Sequence, residues 1–174
     1  LASFVQPSGL DVIRAGLFSA IAAGARVRLL VGDYLGITSP EALRQLLGWI
    51  DLTANGERDE GRAGVLQREP GASRGSAFAV RLAELENLRR SPDSFHPKAW
   101  RIADSSGGIV VVGSSNLSRS ALLSGVEWNL LGETSGSGPL DRELVAAFDD
   151  LWQQATRPAR AAPSPTRGWR RWPP

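Results

Sequence analysis

Residues 1–31 read LASFVQPSGLDVIRAGLFSAIAAGARVRLLV, and three kinds of pattern follow one another in them. Ala2 to Gln6 is short and apolar and is bounded by Pro7, Ser8 and Gly9, which predicts a buried strand followed by a turn. From Leu10 to Ala23 apolar residues recur at 10, 13, 17 and 20/21, a helical spacing, and Gly24 stands where a helix C-terminus commonly takes a glycine. Arg26 to Val31 reads as a second strand. Strand, helix and strand in this order form a βαβ unit, whose two strands must run parallel. The expected class is therefore α/β, a mixed, largely parallel central sheet with helices on both faces.

Further along, Thr38 or Ser39 followed by Pro40 and Glu41 is a helix start, predicting a helix to about Ile50. Thr53 to Ser76 is rich in Gly, Arg, Glu and Ser with little periodicity and reads as a surface loop or a partly disordered insertion. Phe78, Val80 and Leu82 alternate, which favours a strand over 78–83. Ala99 to Ala103 and Ile109 to Gly113 flank the turn Asp104 to Gly108 and predict a hairpin. A short helix is expected over Leu117 to Leu123 and a strand over Val126 to Leu131. An amphipathic helix is expected over Pro139 to Ala155, turning Leu144, Phe148, Leu151 and Trp152 inward. Residues 1–156 thus read as one domain, and 157–174 as an Arg-, Pro- and Trp-rich disordered tail.

Composition narrows the chemistry. The chain has 174 residues, enough for one domain with a real core. It has no cysteine, so disulfides, thiolate metal sites and a cysteine nucleophile are excluded, and its one histidine cannot build a zinc site alone. No metal and no cofactor is expected. The opening stretch Phe4 to Val31 is broken by Gln6, Asp11, Arg14, Arg26 and Arg28, so neither a membrane span nor a signal peptide is expected, and the expected location is cytoplasmic. With no methionine even at position 1, residue 1 is not expected to be a translation start. The net charge of +2 conceals a basic tail: without residues 157–174, 15 basic residues face 18 acidic ones, and the body is formally −3. Nucleic-acid binding therefore cannot be argued from overall charge. Of the 20 basic residues only Lys98 is a lysine, and it lies two positions from the only histidine, His96.

Phe95-His-Pro-Lys-Ala-Trp100, then a hairpin, then Gly113-Ser-Ser-Asn-Leu-Ser118, then Glu127-Trp-Asn129 resembles the HxK and GSxN signature of the phospholipase D superfamily. More narrowly, it is similar to the PLD-like nuclease domains of bacterial restriction enzymes and of the N-terminal part of DEAD/DEAH-type helicases. Phe4-Val-Gln-Pro-Ser-Gly9 and the stretch Leu30 to Thr38 share that likeness, which touches most of residues 1–155. The resemblance implies a metal-independent phosphodiesterase, in first place a DNA nuclease, working through a phosphohistidine. His96 would attack phosphorus through a neutral ring nitrogen. Glu127 would accept from the other nitrogen and fix the tautomer. Lys98, on the same face as His96 if both lie on a strand, would hold the phosphate with Asn116 and the Ser114 hydroxyl. Backbone N–H groups of the turn from Gly113 to Asn116 would face the anion at the start of a helix. Gly113, Ser115, Asn129 and Trp100 are the further candidate substrate contacts. Trp100 and Trp128 are open to base stacking or to core packing, with core packing favoured. Asn116 is equally suited to capping the following helix. Asp33 and Tyr34 follow the second strand, where an acidic loop cap is favoured over a ligand contact.

Two departures from the family pattern matter. The aspartate expected after the HxK is replaced by Ala103, and Asp104, one residue later, falls in the turn and receives no catalytic role. The family uses two HxK motifs and this chain holds one, which implies a homodimer or a missing half. A helicase motor in a longer protein is implied as a partner, although GxxxxGK[ST] is absent from these residues. Two other classes fit the motif: a non-catalytic nucleic-acid-binding appendage of a helicase, and a phospholipase. The latter is disfavoured because no basic amphipathic helix is present for a membrane surface.

Overall fold

A computed structural model describes residues 1–32, 38–63, 77–89, 94–135 and 138–158, with the backbone alone over 55–63. The opening βαβ unit is present as β1 (Ala2–Ser3), α1 (Pro7–Ala22) and β2 (Val27–Gly32), with β1 and β2 parallel. α1 begins at Pro7 instead of following a turn there, because proline at the first helical position gives up an N–H that has no helical partner anyway. It closes at Gly24, whose φ of +94° suits glycine and whose N–H donates to the Ile21 carbonyl.

α2 (Pro40–Ala63) is capped by Ser39, whose Oγ accepts from the Ala42 N–H at 3.2 Å. It runs well past Ile50, so the loop expected from Thr53 starts too early. Ala42, Leu46, Trp49 and Thr53 form one buried stripe at helical spacing, and the Thr53 hydroxyl donates back to the Trp49 and Ile50 carbonyls. Residues 64–76 of that expected loop, Asp33 and Tyr34, and the tail beyond Pro158 lie outside the described residues.

β3 (Phe78–Ala83) follows, then a single 3₁₀ turn over Leu85–Asn87, β4 (Ala99–Ala103), β5 (Gly108–Gly113), α3 (Arg119–Leu123), β6 (Asn129–Thr134) and α4 (Pro139–Gln154). The six strands form one sheet in the order β3-β2-β1-β4-β5-β6. It is mixed, as expected, but not largely parallel. β3, β2 and β1 run parallel, while β1–β4, β4–β5 and β5–β6 are antiparallel. The physical reason lies in the connections. The turn from Asp104 to Gly107 is too short for a crossover and returns the chain as a hairpin, whereas residues 114–128, with α3 among them, bring β6 back antiparallel on the outer side of β5.

Helices cover both faces of the parallel half. Leu29 and Val31 of β2 pack with Leu10 of α1 and with Ala42, Leu46 and Trp49 of α2. Leu30, on the other face, packs with Phe95 and with Phe148, Leu151 and Trp152 of α4. α4 is pinned by the two-pronged pair of Arg101 with buried Asp141 (2.7 and 2.9 Å), which holds the Asp141 carboxyl below its ordinary range. Among the described residues no helix is long and apolar enough to cross a membrane.

Candidate functional site

The central position of the two-residue β1 builds the site. Ala2 pairs with Ala99 in antiparallel register, so two residues further on Phe4 lies beside the segment leading into β4, which contains His96 and Lys98. The Phe4 ring is buried, meets the His96 ring edge-on at 5.1 Å, and lies 5.5 Å below the Lys98 ammonium. His96 and Lys98 precede β4 instead of lying within it, yet they come together as i, i+2 residues of an extended chain. Lys98 Nζ is 3.4 Å from His96 Nδ1 and donates to the His96 carbonyl at 3.1 Å. Partial burial lowers the Lys98 pKa from the usual lysine value, and the charge of Glu127 partly restores it.

Gly113 ends β5 directly beside this pair, its N–H donating to the Lys98 carbonyl at 3.1 Å. A Cβ at Gly113 would stand 2.2 Å from Asn129 Oδ1 and 2.3 Å from the Trp128 carbonyl, so the glycine of the motif admits the neighbouring strand. The Ser114 hydroxyl donates to the Glu127 carboxylate and accepts from the Trp128 N–H at 3.0 Å, while the Ser114 N–H donates to the Trp128 carbonyl at 3.0 Å. Ser115 is buried and its hydroxyl accepts from the Asn129 side-chain amide at 2.8 Å. Glu127, expected to orient the imidazole, is thus held by Ser114 and acts by its charge on Lys98.

The segment 114–118 differs from expectation at its helix. Ser118 caps α3, its Oγ accepting from the Ala121 N–H at 3.3 Å, and α3 has only five residues. Asn116 is therefore not the cap. The Leu117 N–H bonds the Phe4 carbonyl and the Ser3 hydroxyl, and the Ser118 N–H bonds the Asn116 carbonyl. Of the backbone donors expected for an anion, those of Gly113 and Ser114 are thus spent within the fold, on Lys98 and Trp128. Asn116 offers the open valence: its Oδ1 is buried without a hydrogen-bond partner. A buried orphan of this kind costs on the order of 1–3 kcal/mol, and turning the amide over would present its N–H groups as donors instead.

Trp100 is half-buried and packs against the cluster beneath α1 and α2. Trp128 is 85% exposed, against the core packing expected of it. Asp104 lies in its turn, held by the Ser106 N–H and hydroxyl at 2.7 and 2.6 Å, well apart from the motif's bonds. Phe4 is the contact that sequence reasoning missed: it read as part of a buried apolar strand, and the family likeness of Phe4 to Gly9 gave it no role at the site. No family model matches the chain, and no curated protein matches it.

Proposed function

We propose that the chain is a phosphodiesterase acting on nucleic acid, DNA in first place, through a phosphohistidine and without a metal. What carries this reading is the pairing of the only ammonium of a lysine with the only imidazole, 3.4 Å apart, beside a Ser114–Glu127 pair and an orphaned Asn116 amide. A phosphate oxygen is the ligand that would draw the Lys98 ammonium and the turned Asn116 amide to itself.

His96 attacks phosphorus, the bond to the leaving alkoxide breaks, and that alkoxide takes a proton from a second imidazolium. Water then attacks the P–N bond, giving its proton back to the second imidazole and releasing His96. These 174 residues hold a single histidine, so the second imidazole comes from a second copy or from a further half of a longer chain. The proposal includes a place for this domain ahead of a helicase motor or within a restriction protein.

The test is cleavage of DNA and of bis(p-nitrophenyl) phosphate in excess EDTA, by wild type and by His96→Ala. Wild-type cleavage that the His96→Ala protein lacks supports the reading. Cleavage that needs Mg²⁺ overturns the mechanism. DNA binding unchanged in His96→Ala, with no cleavage by wild type, favours a binding appendage.

A further inference from the structure

Phe4 joins the two halves of the motif. Its carbonyl accepts the Leu117 N–H at 3.0 Å, next to Asn116, while its ring lies 5.1 Å from the His96 ring and 5.5 Å from the Lys98 ammonium. The ring is buried, and the room for it is built into the fold. A Cβ on Gly32 would stand 2.9 Å from Phe4 Cε1 and 2.4 Å from Phe95 Cδ1, so the missing side chain at the end of β2 lets both rings in. The buried Ser3 hydroxyl donates to the Phe4 carbonyl at 2.9 Å and accepts from the Leu117 N–H at 3.0 Å. Backbone and ring are thus both held in place.

An aliphatic side chain would fill the same space, so packing alone does not call for a ring. Lys98 does. Its ammonium is half-buried at the end of a flexible four-carbon stem and has three N–H groups to place. The His96 carbonyl takes one at 3.1 Å, and His96 Nδ1 lies within reach of a second at 3.4 Å. The face of an aromatic ring attracts the charge through its quadrupole and accepts no N–H in return. A carboxylate in that place would also hold the ammonium, but it would take a donor and cancel the charge. We infer that Phe4 is a positioning residue of the phosphate pocket, whose ring face holds the Lys98 ammonium beside His96 with its charge and one donor left for a phosphate oxygen. The hold on Lys98 stands on these contacts. Its service to catalysis rests on the phosphodiesterase reading above, in which an ammonium already in place meets the phosphate without a search.

The charged groups that face Lys98 among the described residues are Glu127 and, when protonated, His96, and both stay in place when only the ring at position 4 changes. The test replaces Phe4 by phenylalanines carrying one, two or three ring fluorines, which keep its shape and weaken its negative face step by step, and separately makes Phe4→Leu. Lys98 is the only lysine, so a single ¹⁵N side-chain resonance reports it. Its titration midpoint is expected to fall with each fluorine, and by about half a pH unit in Phe4→Leu, because losing the ring's attraction disfavours the charged form. EDTA-resistant cleavage is expected to fall in the same order, reaching a loss of about two- to fivefold in kcat/KM, with the circular dichroism spectrum unchanged along the fluorine series. That series carries the test even if Phe4→Leu does not fold. A midpoint that stays put along it in folded protein overturns the inference, makes Phe4 a packing residue only, and leaves the phosphodiesterase reading intact. Cleavage lost in Phe4→Leu with no graded loss along the fluorine series overturns it as well, since packing then accounts for the effect. A graded midpoint in a protein whose wild type cleaves nothing in excess EDTA refutes the phosphodiesterase reading and sustains the hold of Phe4 on Lys98.

Discussion

Two glycines of α1 give opposite expectations for the same substitution. Gly9 faces the segment that carries the GSSN motif. A Cβ there would stand 2.1 Å from the Leu117 carbonyl oxygen, 2.3 Å from its carbon and 2.6 Å from the Ser118 nitrogen. All three are backbone atoms, so no side chain can swing away, and the oxygen is short of ordinary contact by more than about 1 Å. Gly9→Ala must therefore push helix and loop apart. Overpacking of this kind costs about 1–3 kcal/mol, and weakening the Gln6 N–H bond to the Leu117 carbonyl (2.9 Å) adds about 1 kcal/mol. The helical gain of alanine over glycine returns about 0.5–1 kcal/mol. The net expectation is a loss of roughly 1–3 kcal/mol. Gly16 lies on the same helix with nothing within 4 Å of its would-be Cβ, so Gly16→Ala keeps the helical gain alone. Urea unfolding monitored by circular dichroism separates the two: with a slope of about 1–3 kcal/mol/M, their midpoints should differ by about 0.5 M or more, in opposite directions from wild type. A Gly9→Ala midpoint at or above that of wild type would falsify the close approach of α1 to the motif loop, and with it the account of how Asn116 is positioned.

Three further perturbations have defined signs. Lys98 is the only lysine, so lysine-selective ¹⁵N labelling yields one side-chain resonance; it should titrate below the usual lysine range, and lower still in Glu127→Gln, whose lost charge had been raising it. A rise, or no change, would show that Glu127 does not act on the ammonium. Asp141 has a folded pKa held down by Arg101, so its contribution to stability is complete above the ordinary carboxylate pKa of about 4 and is lost as pH falls through the lower, folded value. Asp141→Asn should accordingly be less stable than wild type at pH 7, with the gap narrowing in acid; a gap constant down to pH 2 to within about 0.3 kcal/mol contradicts this. Leu30, fully buried at the centre of β2 against Phe95 and α4, should cost about 2–5 kcal/mol when cut to alanine, and a loss under about 1 kcal/mol would mean that α4 does not seal that face.

What could be read in advance divides along the range of the interactions concerned. The βαβ unit, the 104–107 hairpin turn and α4 were legible because their patterns are local: helical spacing, a closing glycine, alternation around a turn. The place of β1 was not, since two residues at the centre of a sheet owe their position to partners 28 and 97 positions away, Leu30 and Ala99. The same distinction runs through the site. His96 and Lys98 announce themselves two residues apart, while Phe4, beneath both, arrives through the β1–β4 register. The helix cap went to Ser118 and not Asn116 because Leu117 is first claimed by Phe4 and Ser3, a tertiary bond that delays the helix by two residues. Residues 126–131 were the least legible. An apolar strand reads as buried, and a local pattern contains the demand for cover but not its source. In this fold α4 crosses the sheet from Asp141, beside Arg101, to Asp149, beside Arg28, and so leaves Val112 and Leu130 outside its track. The apolar character of 126–131 therefore states a demand for cover that neither α4 nor the neighbouring strand meets.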